Sequence, residues 1–136
     1  MKIEVHHTDA RGNFVKTLFP QKFTFRGKTF VVPKGFEFDG ASVPRIFRVS
    51  VCAPLDPEAA RGGCAHDWIY RTQPKGWTRA TADLMFLCFL IEDGLPVHRA
   101  LKAYIGVRIG GWIAWRENRR LLEIDAAQKV EEGDQK

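Results

Sequence analysis

Two hydropathy rhythms divide this 136-residue chain. Up to about residue 38 the apolar positions come in short β-rich runs. These are Phe14–Phe19, Phe23-Thr24-Phe25, Thr29–Val32 and Phe36-Glu37-Phe38, with Arg26-Gly27-Lys28 as a glycine turn between two of them. Pro33-Lys34-Gly35 fits a type II turn, glycine supplying the positive φ. The pattern predicts a small antiparallel sheet over about 13–38, with phenylalanines that need a covering surface. Asp39-Gly40-Ala41-Ser42-Val43-Pro44 breaks the rhythm as a loop, and the apolar segment through Cys52 carries no assignable pattern.

From Asp56 the period lengthens. Asp56 as cap, Pro57 in the first turn and Glu58 against the dipole open a helix predicted over 56–72. Gln73–Trp77 is a turn, and Thr78 caps a second helix to about 93. That helix holds eight consecutive apolar residues, Leu84–Ile91, and should be buried nearly all round. Gly94 then Pro96 end one helix and begin another, predicted over 96–124. Its apolar residues recur at three-and-four spacing from Val97 to Ile113; Gly106 and Gly110 would admit a neighbouring helix, and Gly110-Gly111 a kink. The fold class expected is α+β: a small N-terminal sheet on an antiparallel helix pair plus a long third helix. One domain over 1–128 is expected, with a frayed charged tail at 129–136.

Composition is that of a globular protein, which excludes wholesale disorder, and the net charge of +5 is mild. The basic residues form no single block, which argues against nucleic acid as partner. Three cysteines, Cys52, Cys64 and Cys88, without a CxxC pair, fit neither a disulfide framework nor a zinc knuckle. The start lacks a signal-peptide core, and no apolar run reaches membrane-span length. The expected location is a reducing cytoplasm, unless the protein is carried out by another route such as lysis or virion assembly. His6-His7 falls at what reads as a mobile terminus.

Candidate chemistry centres on Gly63–Arg71. In a helix His66 and Tyr70 share one face, while Asp67 and Arg71 share the next and can pair. With the two helices antiparallel, His66 lies about two turns before the connecting turn and Asp83 about one and a half turns after it. They can meet, which gives His66 an orienting carboxylate and leaves its other nitrogen as a base. Asp67 is then free for a metal, and Asp39–Ser42 can offer loop carbonyls, an oxygen set that suits calcium. Cys64 and Cys88 fall on the same helices. The structural alternative stays open: His66 and Asp83 satisfying one another, Asp67 held by Arg71 and Asp39 capping its own turn. A zinc site from His66, Asp67 and Asp83 with His98 is a further alternative, short of the usual His and Cys ligands. Trp112, Ile113 and Trp115 beside Arg116, Arg119 and Arg120 read either as cover for the sheet or as a patch for a phospholipid surface.

The ordered set Phe38–Pro44, His66–Arg71, Ala82-Asp83 with Phe86, then Tyr104 through Arg108 and Gly110 resembles a phage and prophage family catalogued as a domain of unknown function, over about 28–112. That resemblance implies a phage or prophage source, with other phage proteins as partners. Residues 39–90 are also similar to secreted phospholipases of the A-two type, in which a glycine-containing loop precedes a His-Asp-x-x-Tyr helix and a later Asp. The resemblance implies a calcium-dependent ester hydrolase. His66 would be the base, Asp83 its orienter, Tyr70 the support of Asp83, Asp67 a calcium ligand, and Asp39, Gly40 and Ala41 the metal loop beside Ser42. The chain departs from that family in four respects, one being that it shows no signal-peptide core although those lipases are secreted. Ala41 stands where a cysteine is usual, Cys64 is two rather than three residues before the histidine, and the sheet and long third helix have no counterpart. The alternative function is a non-enzymatic virion, assembly or host-interaction protein whose His/Asp cluster is structural.

Overall fold

The computed structural model describes residues 3–9, 12–38 and 57–134. It is α+β, and the described residues form five strands followed by three helices. Strands β1 (Ile3–Asp9), β2 (Gly12–Thr17) and β5 (Glu37–Phe38) form one antiparallel sheet in the order β1-β2-β5, while β3 (Gln21–Phe25) and β4 (Lys28–Val32) form a second. The expected single sheet is therefore two. The break falls at Leu18–Pro20, where proline cannot donate to a ladder. β1 was not expected; the backbone of His6 and His7 lies within it, paired with Phe14 and Asn13 of β2 rather than at a loose end.

The β3–β4 hairpin turns on two residues, with Phe25 paired to Lys28. Arg26 (φ 48) and Gly27 (φ 78) are both left-handed, the geometry that matches the strand twist across a two-residue loop. Gly35 takes φ 83 in the turn before β5. Buried Thr17 stitches that turn down: its hydroxyl donates to Pro33 O at 2.8 Å and accepts from Phe36 N at 3.0 Å.

Helices α1 (Pro57–Thr72) and α2 (Arg79–Glu92) form the expected hairpin. Thr78 caps α2, its hydroxyl accepting from Thr81 N at 3.1 Å. At the far end Gly94 takes φ 99, Gly94 N donates to Ile91 O, and Leu95 N donates to Leu90 O. This is a Schellman ending, and buried Leu95 supplies its apolar contact. The expectation of all-round burial in α2 fails at Ile91, which is exposed. Phe23, Val32 and Phe38 bring both sheets onto Cys64, Ile69, Tyr70, Met85 and Phe89 of the hairpin. Trp77 meets Phe30 edge-on at 5.1–5.4 Å spacing typical of this core, as Trp68 meets Phe36, so these tryptophans rather than those of the third helix cover the phenylalanines.

Helix α3 (Val97–Asp134) buries Ala100, Ala103, Gly106, Val107 and Gly111 against the hairpin. It continues ten residues past the expected end at 124, and the stretch expected to fray is helical through Asp134. Among the described residues no helix is long and apolar enough to cross a membrane.

Candidate functional site

The site is assembled by helical spacing on α1 and by the height of α2 beside it. His66 Nε2 lies 2.8 Å from Asp83 Oδ1, and Tyr70, one turn on from His66, donates its hydroxyl to the same oxygen at 2.5 Å. All three side chains are fully buried. The His66 ring is held between Tyr70, at 4.2 Å between centroids, and Phe86, at 4.8 Å. The other carboxylate oxygen, Asp83 Oδ2, accepts from Arg108 Nη1 at 2.8 Å and Arg79 Nη1 at 3.3 Å.

This network fixes the imidazole. A carboxylate that takes three other donors has no hydrogen to give, so Nε2 carries the proton and donates it. Nδ1 is then the lone-pair nitrogen of the neutral ring. It is buried and has no hydrogen-bond partner among the described residues. Burial, reinforced by the Asp83 carboxylate, pushes the Tyr70 hydroxyl well above its ordinary range and keeps it a donor.

Asp67 is nearly buried and pairs with Arg71 Nη2 at 2.9 Å; Arg71 also donates to Glu37 O at 2.7 Å. Thus the residue expected to bind calcium faces a guanidinium. Asp39, Gly40, Ala41 and Ser42, the expected metal loop, lie outside the described residues. Among the described residues no group of three or more His, Cys, Asp or Glu is placed to hold a metal ion, and His98 lies exposed at the start of α3. The described donors therefore do not by themselves fit a calcium or zinc shell. Cys64 and Cys88 are both free thiols. Burial, aided by the charge of Asp67, pushes Cys64 up to about 12, so it is an inert core thiol.

Three contributors escaped the sequence reading. Arg79 sits one turn before Asp83 and also donates to Val107 O at 3.0 Å, tying α2 to α3; its four-residue spacing from Asp83 was a usable signal. Arg108 enters from α3, with no local signal. Gly111 makes the close approach to Tyr70: a Cβ there would lie 2.6 Å from its hydroxyl.

No curated protein and no solved structure matches the chain. The family described as "Protein of unknown function (DUF1353)" matches residues 17–107, a span that holds His66, Tyr70, Arg79, Asp83 and all of Arg71 to Val107. That covers more than half of the chain and every α1 and α2 residue of the cluster, and the protein belongs to the DUF1353 family.

Proposed function

We propose that this is a phage- or prophage-encoded hydrolase of esters, with His66 as general base. One observation carries the reading: Asp83, itself held by Tyr70, takes Nε2 and leaves Nδ1 buried and without a partner among the described residues. An unsatisfied buried acceptor costs about 1–3 kcal/mol, so a water or substrate hydroxyl at Nδ1 is favoured. Water held there would lose a proton to Nδ1 as its oxygen attacks an ester carbonyl. The imidazolium so formed is stabilised by Asp83 and returns the proton to the departing alkoxide. The phospholipase resemblance and the phage-family motifs support the substrate class and the source. Calcium at Asp67 with Asp39–Ala41 belongs to that resemblance, but Arg71 already neutralises Asp67, and no step here depends on the metal.

A second reading has its own support. Asp83 is saturated with four donors from three helices, as a purely structural node in a virion, assembly or host-interaction protein would be. Assay of phospholipid vesicles and short-chain nitrophenyl esters, with and without calcium, separates the two. Turnover that disappears in His66→Asn while the melting temperature holds supports the hydrolase. Absence of turnover, with His66→Asn losing only stability, supports the node. A calcium-dependent rise in melting temperature that Asp67→Asn removes would add the metal; at about a hundred times its dissociation constant the ion contributes about 2.7 kcal/mol.

A further inference from the structure

The last packed residue of α3 is Trp115, whose ring meets Tyr70 at 5.1 Å. Beyond it the helix continues to Asp134 with its side chains exposed, apart from half-buried Asn118. That extension is about 28 Å long. A mostly polar helix of this length has little stability of its own in water.

Its charge is segregated. Residues 97–120 hold six lysines and arginines and one carboxylate, whereas 121–134 hold five carboxylates and one lysine. Arg116 and Arg119 have no carboxylate partner, and Glu123 and Glu131 no cationic one, among the described residues. One face of the helix carries Trp112, Arg116, Arg119, Glu123, Ala126 and Val130 at alternating four-and-three spacing, the seam along which two helices pack. Trp112 is 50% exposed and Val130 64% exposed. A shallow groove runs along this face from Trp112 to Glu123.

We propose that this face is a homodimer interface whose occupant is a second copy of the chain, running antiparallel about a two-fold axis near Leu121. In that register Trp112 of one copy meets Val130 of the other, Arg119 meets Glu123 and Arg116 meets Ala126, and symmetry makes each pair twice. The basic half of each helix lies on the acidic half of its mate. A second copy fits better than an anionic lipid surface, because the acidic half is carried on the same rod and would be repelled. Each packed body ends at Trp115, opposite Ala127 of the mate, so in this register the two bodies lie towards opposite ends of the paired rods.

Light scattering coupled to gel filtration on the full chain, over a concentration series, tests this. The expected mass is about 31 kDa, twice the 15.5 kDa of one chain, falling towards the monomer as salt rises to about 0.5 M. Arg119→Glu or Glu123→Arg should each raise the dissociation constant by about tenfold or more, and the double reversal should restore it. Circular dichroism checks that the helix survives each change. A monomer at every concentration, or a dimer indifferent to both reversals, overturns the proposal. So does a monomer that binds anionic vesicles and loses that binding in Arg116→Glu/Arg119→Glu, which would assign the face to lipid.

Discussion

Replacing a helical glycine by alanine ordinarily stabilises a protein by about 0.5–1 kcal/mol, because the unfolded chain loses freedom. Gly111→Ala should do the opposite. The added methyl would sit 2.6 Å from the Tyr70 hydroxyl and 3.3 Å from Cε2 and Cζ of its ring. Tyr70 cannot swing aside freely, since its hydroxyl is bound to Asp83 and its ring is packed on His66 and Trp115. Either α3 lifts or the hydroxyl leaves Asp83, an overpacking cost of about 1–3 kcal/mol. Net destabilisation of about 1–2 kcal/mol is expected once the helix-propensity gain is deducted. Tyr70→Phe alone loses a hydrogen bond to a charged acceptor, about 1.5–3 kcal/mol. In the Tyr70→Phe background the 2.6 Å contact no longer exists and only the 3.3 Å contacts to the ring carbons stay, so Gly111→Ala should cost much less than it does in the parent. The double-mutant cycle should therefore show a coupling of about 1–3 kcal/mol. Urea unfolding followed by tryptophan fluorescence measures all four proteins. Additive effects, or a Gly111→Ala that stabilises the parent, would refute the reasoning.

Other outcomes follow from the same geometry. Asp83→Asn leaves Arg79 and Arg108 without their carboxylate and should cost about 3–5 kcal/mol in urea unfolding; Arg108→Met, which removes one of four donors, should cost less. The Cys64 thiol is raised in the folded state from 9.0 to about 12, so the native protein binds its proton more tightly than the unfolded chain does. Its contribution is fully present below about pH 9 and is lost as pH rises towards about 12. Cys64→Ala should flatten that part of the stability profile, and a thiol reagent at pH 8 should label half-exposed Cys88 well before Cys64. Arg61 bridges to Glu92 at 2.7 Å and Asp93 at 2.9 Å and stacks on Phe89 at 3.9 Å, so Arg61→Ala should lower the melting temperature by a few degrees through lost packing as well as charge.

The centre of the cluster was legible because it depends on regular geometry. Four-residue spacing puts His66 over Tyr70, and a five-residue turn between two helices sets Asp83 level with them. Arg108 was not legible, because its contact spans 25 residues and depends on how α3 is rotated about its axis. The same rotation decides that Gly111 faces Tyr70. Strand β1 was missed because its identity lies in its pairing with β2, whereas His6-His7 read alone is polar and terminal. Helix α3 runs past 124 because propensity outweighs charge there: Leu121 to Val130 contains mostly strong helix formers.

Arg79 joins Asp83 to the backbone of α3 at Val107 and Arg108, one packed turn or two before the helix leaves the body. The free stretch beyond Trp115 thus acts as a lever whose fulcrum is the buried carboxylate. A tilt of about 5° at that fulcrum, about 40 Å along the helix from Asp134, would carry the tip through about 3.5 Å. Where a change in how Asp83 is held tilts α3 as one rod, the displacement grows with distance from the fulcrum and is largest at the far end. A distance probe between the body and the tip would read the state of a cluster whose centre, His66, Tyr70 and Asp83, is buried.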